Sequence, residues 1–130
     1  MIVVDASALL EVLLGTSAAD VVSERLFREG ETWHAPHLLD LEVAQVLRRF
    51  TAAGEMDDDR GRVALEDLQQ MPLTRYPHTV FLPRIWELRR NVSAYDAAYL
   101  TLAEALGAPL VTRDGRLASA PNLEAVVEVL

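Results

Sequence analysis

The chain contains no cysteine and no lysine. The first absence removes disulfides, thiolate metal sites and cysteine nucleophiles. The second removes Schiff-base chemistry, a phosphate-loop lysine and a Ser-Lys dyad. All 12 basic side chains are therefore Arg, and against 20 acids they leave a formal net charge of −8. That is not the basic footprint of most nucleic-acid binders. A metal-dependent nuclease can be acidic nonetheless, because bound cations reverse the sign of the field at its site. Also missing is any apolar run near the ~20 residues of a membrane span. Met1-Ile2-Val3-Val4 runs straight into Asp5 with no basic stretch before it, unlike a signal peptide. These absences predict a soluble, cytoplasmic protein. What is present is ordinary for a globular chain: 130 residues, 51% hydrophobic and 25% charged, about one domain's worth, taken as residues 1–130.

Ile2-Val3-Val4 is β-branched, apolar and stopped by an acid, as expected of a buried parallel strand. A helix from Ala6 to Leu14 follows, ended by Gly15. Ser17-Ala18-Ala19-Asp20 reads as a capping box opening a second helix to about Arg28. Thr32 to Ala35 is a short strand closed by Pro36. A third helix runs from about His37 to Ala53, with Leu39, Val43, Val46, Leu47 and Phe50 as its apolar stripe. Asp57-Asp58-Asp59 starts a fourth, ending near Gln70. Leu73 to Tyr76 is a weak strand. A fifth helix is expected over 79–90, and a sixth, apolar on nearly every face, from after Ser93 to Leu106. Leu110 to Thr112 is a strand, and a last one is expected over 123–127. Strands alternate with helices and no linker or repeat intervenes, which predicts an α/β fold with a parallel sheet between two helical layers. Sites in such sheets lie outside the carboxyl ends of the strands.

Four acids stand at such places. Asp5 directly follows the first strand. Asp114 follows the strand at 110–112 and precedes Gly115. Glu42 flanks the apolar stripe of the third helix, and Asp96 is the sole acid before Glu104 on the buried sixth helix. Each has a plain explanation on its own: a helix cap for Asp5, a first-turn acid for Glu42, a capping box with Ser93 for Asp96, an Asp-Gly turn for Asp114. Together they can converge on one edge of the sheet, where four carboxylates repel one another unless cations are present. Oxygen-only ligands suit Mg²⁺ or Mn²⁺. Such ions hold phosphate oxygens and activate water for an in-line displacement. Ser7 and Thr112 place hydroxyls beside Asp5 and Asp114, where they could orient a ligand carboxylate, a metal-bound water or a phosphate.

Val3-Val4-Asp5-Ala6-Ser7-Ala8-Leu9 resembles the opening motif of the PIN-domain family. Ala94-Tyr95-Asp96-Ala97-Ala98-Tyr99-Leu100, followed by Leu110-Val111-Thr112-Arg113-Asp114, resembles its closing half, and Glu42 stands where the family places its helical Glu. The likeness runs from Met1 to about Val127. The length and the Tyr-Asp-Ala pattern are similar to VapC-type toxins of bacterial toxin–antitoxin pairs. The resemblance implies a PIN-like three-layer α/β/α sandwich and an endoribonuclease dependent on Mg²⁺ or Mn²⁺, with Asp5, Glu42, Asp96 and Asp114 as its metal-binding and catalytic acids. It also implies a homodimer and a VapB-type antitoxin as partners. The apolar helix Ala97 to Leu106 could need a dimer's cover or could be core. An antitoxin tail could pair a basic residue with the acids and anchor on Leu10, Leu14, Leu26 or Phe27.

Asn91 is a further polar candidate for the site, and Arg89, Arg90, Arg113 and Arg116 are candidates to hold RNA phosphates. Arg48-Arg49 and Arg89-Arg90 alike read first as solvated helix faces and second as phosphate contacts. His34 and His37 have a spacing suggestive of zinc, but they straddle a strand end and a proline, and a surface pair is expected. Trp33 and Trp86 read as core or interface residues. The alternative function is a non-catalytic or regulatory α/β module with an acidic pocket, such as a receiver domain. Only Asp5 follows the first strand and no lysine exists, whereas a receiver needs paired acids there and a late lysine.

Overall fold

The structure is a computed structural model and describes residues 1–130. Its strands are β1 (Ile2–Val4), β2 (Trp33–Pro36), β3 (Leu73–Tyr76), β4 (Leu110–Thr112) and β5 (Val127–Val129). They form one sheet in the order β3-β2-β1-β4-β5, and every neighbouring pair is parallel. The helices are α1 (Ala6–Leu14), α2 (Ala19–Leu26), α3 (Leu38–Ala52), α4 (Asp58–Gln70), α5 (Leu82–Glu87) and α6 (Ala94–Leu106). Helices α1 to α4 pack among themselves, while α5 packs on α6, and α6 lies against β1, β2 and β4. The expected three layers are thus present. No single helix is long and apolar enough to cross a membrane.

The core follows from the apolar runs. Ile2, Val3 and Val4 are completely buried, as a central strand covered on both faces must be. On α6 every residue from Ala97 to Ala103 is buried. The apolar face of that helix is therefore covered within the chain and leaves no need for a second copy to cover it. Ser93 caps α6 by accepting from the Asp96 backbone N–H at 3.1 Å, and Gly107 ends it at φ 61°, a left-handed turn that suits glycine.

Three elements differ from expectation. The Ser17 capping box does not form: α2 is entered through a turn in which the Ala19 N–H donates to the Thr16 carbonyl at 3.0 Å, and Ala18, which has no side-chain acceptor, stands at the cap position. Helix α2 then ends at Leu26 instead of Arg28. The helix expected over 79–90 is a 3₁₀ turn at Thr79–Phe81 followed by the short α5. Pro83 explains the break: it has no N–H and its ring clashes with a helical carbonyl four residues back, so it fits only a first turn. The last strand begins at Val127, not Leu123. Asn122 turns at φ 64°, and the Glu124 N–H donates to Glu104 on α6, which holds this stretch off the sheet. Pairing with β4 starts only where the Leu110 N–H reaches the Val126 carbonyl.

Candidate functional site

The strand order reverses at β1: the chain first builds outward through β2 to β3, then returns to lay β4 on the other side of β1. In parallel sheets that reversal opens a crevice outside the carboxyl ends of the two strands. Here Asp5 leaves β1 and Thr112-Arg113-Asp114 leave β4 into such a crevice. The cleft is open, about 890 Å³ in volume, and Asp5, Glu42, Asp96 and Asp114 all line it.

Asp5 is nearly buried and held through one oxygen. Its Oδ2 accepts from the Ser7 hydroxyl at 2.9 Å and the Thr112 hydroxyl at 2.7 Å. Each hydroxyl in turn accepts from a backbone N–H: Ser7 from Arg113 at 3.0 Å, Thr112 from Asp114 at 2.9 Å. A backbone N–H can only donate, so both hydroxyl protons are free to point at the carboxylate. Two successive amides thus act through two hydroxyls on Oδ2, and Oδ1 is left for the cleft. Ser7 and Thr112 therefore lie where hydroxyls can orient the acid.

The other three acids are in different states. Glu42 on α3 is half-buried, and its Oε1 accepts from the Tyr99 phenol at 2.6 Å. Burial pushes its carboxyl above the usual range; the Tyr99 hydrogen bond opposes this and the charges of Asp5 and Asp96 add to it. Burial likewise raises Asp96, opposed by the hydrogen bond from the Ser93 cap, with Asp5 and Asp114 adding and Arg116 opposing. Asp114 is held below its ordinary value by the hydrogen-bonded guanidinium of Arg116, 2.6 Å away. No three acids are close enough as they stand to close a cation site. Glu42 is hydrogen-bonded to Tyr99 through one oxygen, and Asp114 to Arg116 through both. The donor set nonetheless fits a hard divalent cation: it is all carboxylate oxygen, and two of its members, Glu42 and Asp96, are raised by burial and by the charge of Asp5.

Several residues singled out in the sequence lie elsewhere. The Asn91 amide donates to the Pro121 carbonyl at 3.3 Å and does not line the cleft. Arg89 stacks over Trp86 at 4.6 Å, and Arg113 reaches the Leu130 carbonyl; neither they nor Arg90 line it. Arg116 does, and so do Arg48 and Arg49, whose solvated reading was the favoured one. Helical spacing held the signal for Arg49, which follows Glu42 by two turns and shares its face. Of the four anchors, only Leu10 lines the cleft. Leu14 packs on the core, Leu26 is completely buried, and Phe27 sits edge-on to Trp33, whose strand begins at the amino end of the sheet. His34 is buried between Thr32 and Tyr76, while His37 opens α3, so the two do not form a zinc pair. Sequence reasoning missed Tyr99 as a partner of Glu42, although it follows Asp96 by three residues and so shares its helical face.

Both the sequence and the fold match known proteins. The PIN domain family pattern matches residues 2–123. The chain is 43% identical to Ribonuclease VapC9 of Mycobacterium tuberculosis, covering 100% of this chain and 98% of that one. It is 42% identical to Ribonuclease VapC1 of the same species, covering 98% and 96%. Among solved structures, a toxin–antitoxin complex from Klebsiella pneumoniae contains a chain with the same fold, at a TM-score of 0.69 and 18% identity, covering 98% and 97%. A four-acid cleft at the β1/β4 crevice, a family pattern spanning almost the whole sequence and full-length likeness to two ribonucleases lead to one assignment: the chain belongs to the PIN-domain family, and within it to the VapC ribonucleases.

Proposed function

We propose that residues 1–130 form one PIN domain that hydrolyses RNA phosphodiester bonds as the toxin of a toxin–antitoxin pair, with Mg²⁺ or Mn²⁺ held by Asp5, Glu42, Asp96 and Asp114. The convergence of four carboxylates from four separate elements on one crevice carries this reading. Such a cation supplies positive charge to a phosphate and makes a nearby water a better nucleophile. The chain's own residues bind and orient. Asp5 and Asp96 are the primary ligands, and Glu42 and Asp114 complete the set. Ser7 and Thr112 keep Asp5 aimed at the cleft, while Arg116, Arg48 and Arg49 hold phosphates on either side of the scissile bond. For Asp114 to bind a cation, Arg116 must release it. Arg116 is highly exposed, so that exchange is cheap. RNA cleavage that continues in excess EDTA would refute the assignment.

Two partners belong to this reading. An antitoxin tail carrying a basic residue would compete for the carboxylates; that a structural neighbour from K. pneumoniae is a toxin–antitoxin complex supports an antitoxin as partner. Its apolar anchors are Leu10, Leu38 and Leu41, which line the cleft beside the acids. The second partner is another copy of the chain. The exposed Val80, Leu82 and Trp86, on the 3₁₀ turn and α5, offer the face for it. Light scattering should give a dimer at micromolar concentration, and Trp86→Ala should shift it to monomer.

A further inference from the structure

Tyr99 is 1% exposed, yet it carries a hydroxyl that a phenylalanine would pack without. A buried hydroxyl is costly unless it is paired. This one is paired, 2.6 Å from Glu42 Oε1, the usual length for a hydroxyl donating to a carboxylate. The direction of donation is settled by chemistry: an ionised carboxylate can only accept, so the phenol proton goes to Glu42. One hydroxyl on α6 thereby holds an acid on α3.

Asp5 and Glu42 are thus treated alike. Each has one oxygen occupied by hydroxyl donors, Ser7 and Thr112 for Asp5 and Tyr99 for Glu42, and the other oxygen left over. A glutamate has a longer, freer side chain than an aspartate, so a fixed donor restricts it more. The geometry points to Tyr99 as the positioning residue for Glu42, holding the carboxylate in the orientation in which its free oxygen serves as a cation ligand. This rests on the four-acid reading of the cleft and extends it to a residue outside the ligand set.

The test is Mn²⁺ binding by titration calorimetry on the full chain, for wild type, Tyr99→Phe, Glu42→Ala and the double variant. Tyr99→Phe keeps the ring and removes only the donor. It should weaken Mn²⁺ binding by about tenfold or more, in the range found for residues that orient metal ligands. In the Glu42→Ala background the same change should have no further effect. Unchanged affinity in Tyr99→Phe, or an equal loss with Glu42 already gone, overturns the inference and leaves the four-acid reading standing. A wild-type chain that takes up no Mn²⁺ overturns both. A second measurement needs no variant: the phenol proton of Tyr99, protected by burial, should give a distinct NMR resonance that moves when Mg²⁺ is added. A resonance that stays fixed at saturating Mg²⁺ also overturns the inference.

Discussion

Glu42 and Glu128 are both partly buried glutamates, and their neighbours push them in opposite directions. Glu128 on β5 is met by the Arg25 guanidinium through two hydrogen bonds, 2.6 and 3.2 Å, and is held below the usual carboxylate range. Arg25 also binds Glu31, which is lowered too, and Arg84 clamps Glu104 in the same manner on α5 and α6. Glu42 has no such cation. Burial raises it, two further acids add to the rise, and a neutral phenol is its sole hydrogen-bond partner. The chain thus fixes Glu31, Glu104 and Glu128 with Arg clamps, leaves Glu42 without one, and gives the cleft acid Asp114 only the highly exposed Arg116. The difference separates structural charge from functional charge more clearly than acid count does.

The widest gap between the regions should appear in catalysis. Asp96→Asn removes one of the proposed cation ligands without changing side-chain size. It should cut RNA cleavage by orders of magnitude while the metal-free melting temperature holds or rises, because one repelling charge is gone. Arg25→Ala should do the reverse, sparing turnover per folded molecule and lowering stability. Arg25 is nearly buried but its partners are partly exposed, so the loss should be about 3 kcal/mol, the low end for a broken buried pair. Denaturant unfolding of both variants checks this. An Asp96→Asn protein that unfolds as easily as Arg25→Ala would erase the distinction.

Metal sharpens the same contrast. A cation that binds only the native cleft stabilises by mass action, ~2.7 kcal/mol at 100 times its dissociation constant. Calorimetry with Mn²⁺ should show this gain in wild type and equally in Arg25→Ala, since the clamp takes no part in binding. It should vanish in Asp5→Asn.

Much of this was legible before the structure. β1, β4 and α6 announce themselves as apolar runs bounded by an acid, a turn or a cap, and the four acids stand where those runs stop. What the sequence hides is tertiary. The Arg25–Glu128 pair joins residues 103 apart, and no local pattern marks it. β5 takes its bounds from pairing with a three-residue β4, not from its own composition. The short α5, by contrast, was readable from Pro83. Arg49 in the cleft was readable from its helical phase with Glu42.

The smallest effect is in pH, and its sign differs between the regions. Glu42 has a native pKa above its ordinary 4.5. Below 4.5 it is protonated both folded and unfolded, so it contributes nothing. As pH rises from 4.5 through its raised native value, the unfolded chain ionises first, and metal-free stability falls. Glu31, Glu104 and Glu128 are lowered, so their contribution is complete above 4.5 and is lost as pH falls through their native values. Whole-protein acid unfolding therefore reports the clamps together with Asp114, which is lowered too, and masks Glu42. A difference measurement isolates Glu42. Glu42→Gln keeps an oxygen for Tyr99 and loses the charge. Without metal at pH 7 it should be more stable than wild type, by under about 1 kcal/mol given that the site is open to solvent. That advantage should shrink to nothing below pH 4.5 and reverse at neutral pH when Mn²⁺ is added, because the ligand is gone. Stability differences from urea melts at several pH values decide it. A constant difference across the range would mean that Glu42 is not raised by its surroundings, and that the cleft and the clamps are alike after all.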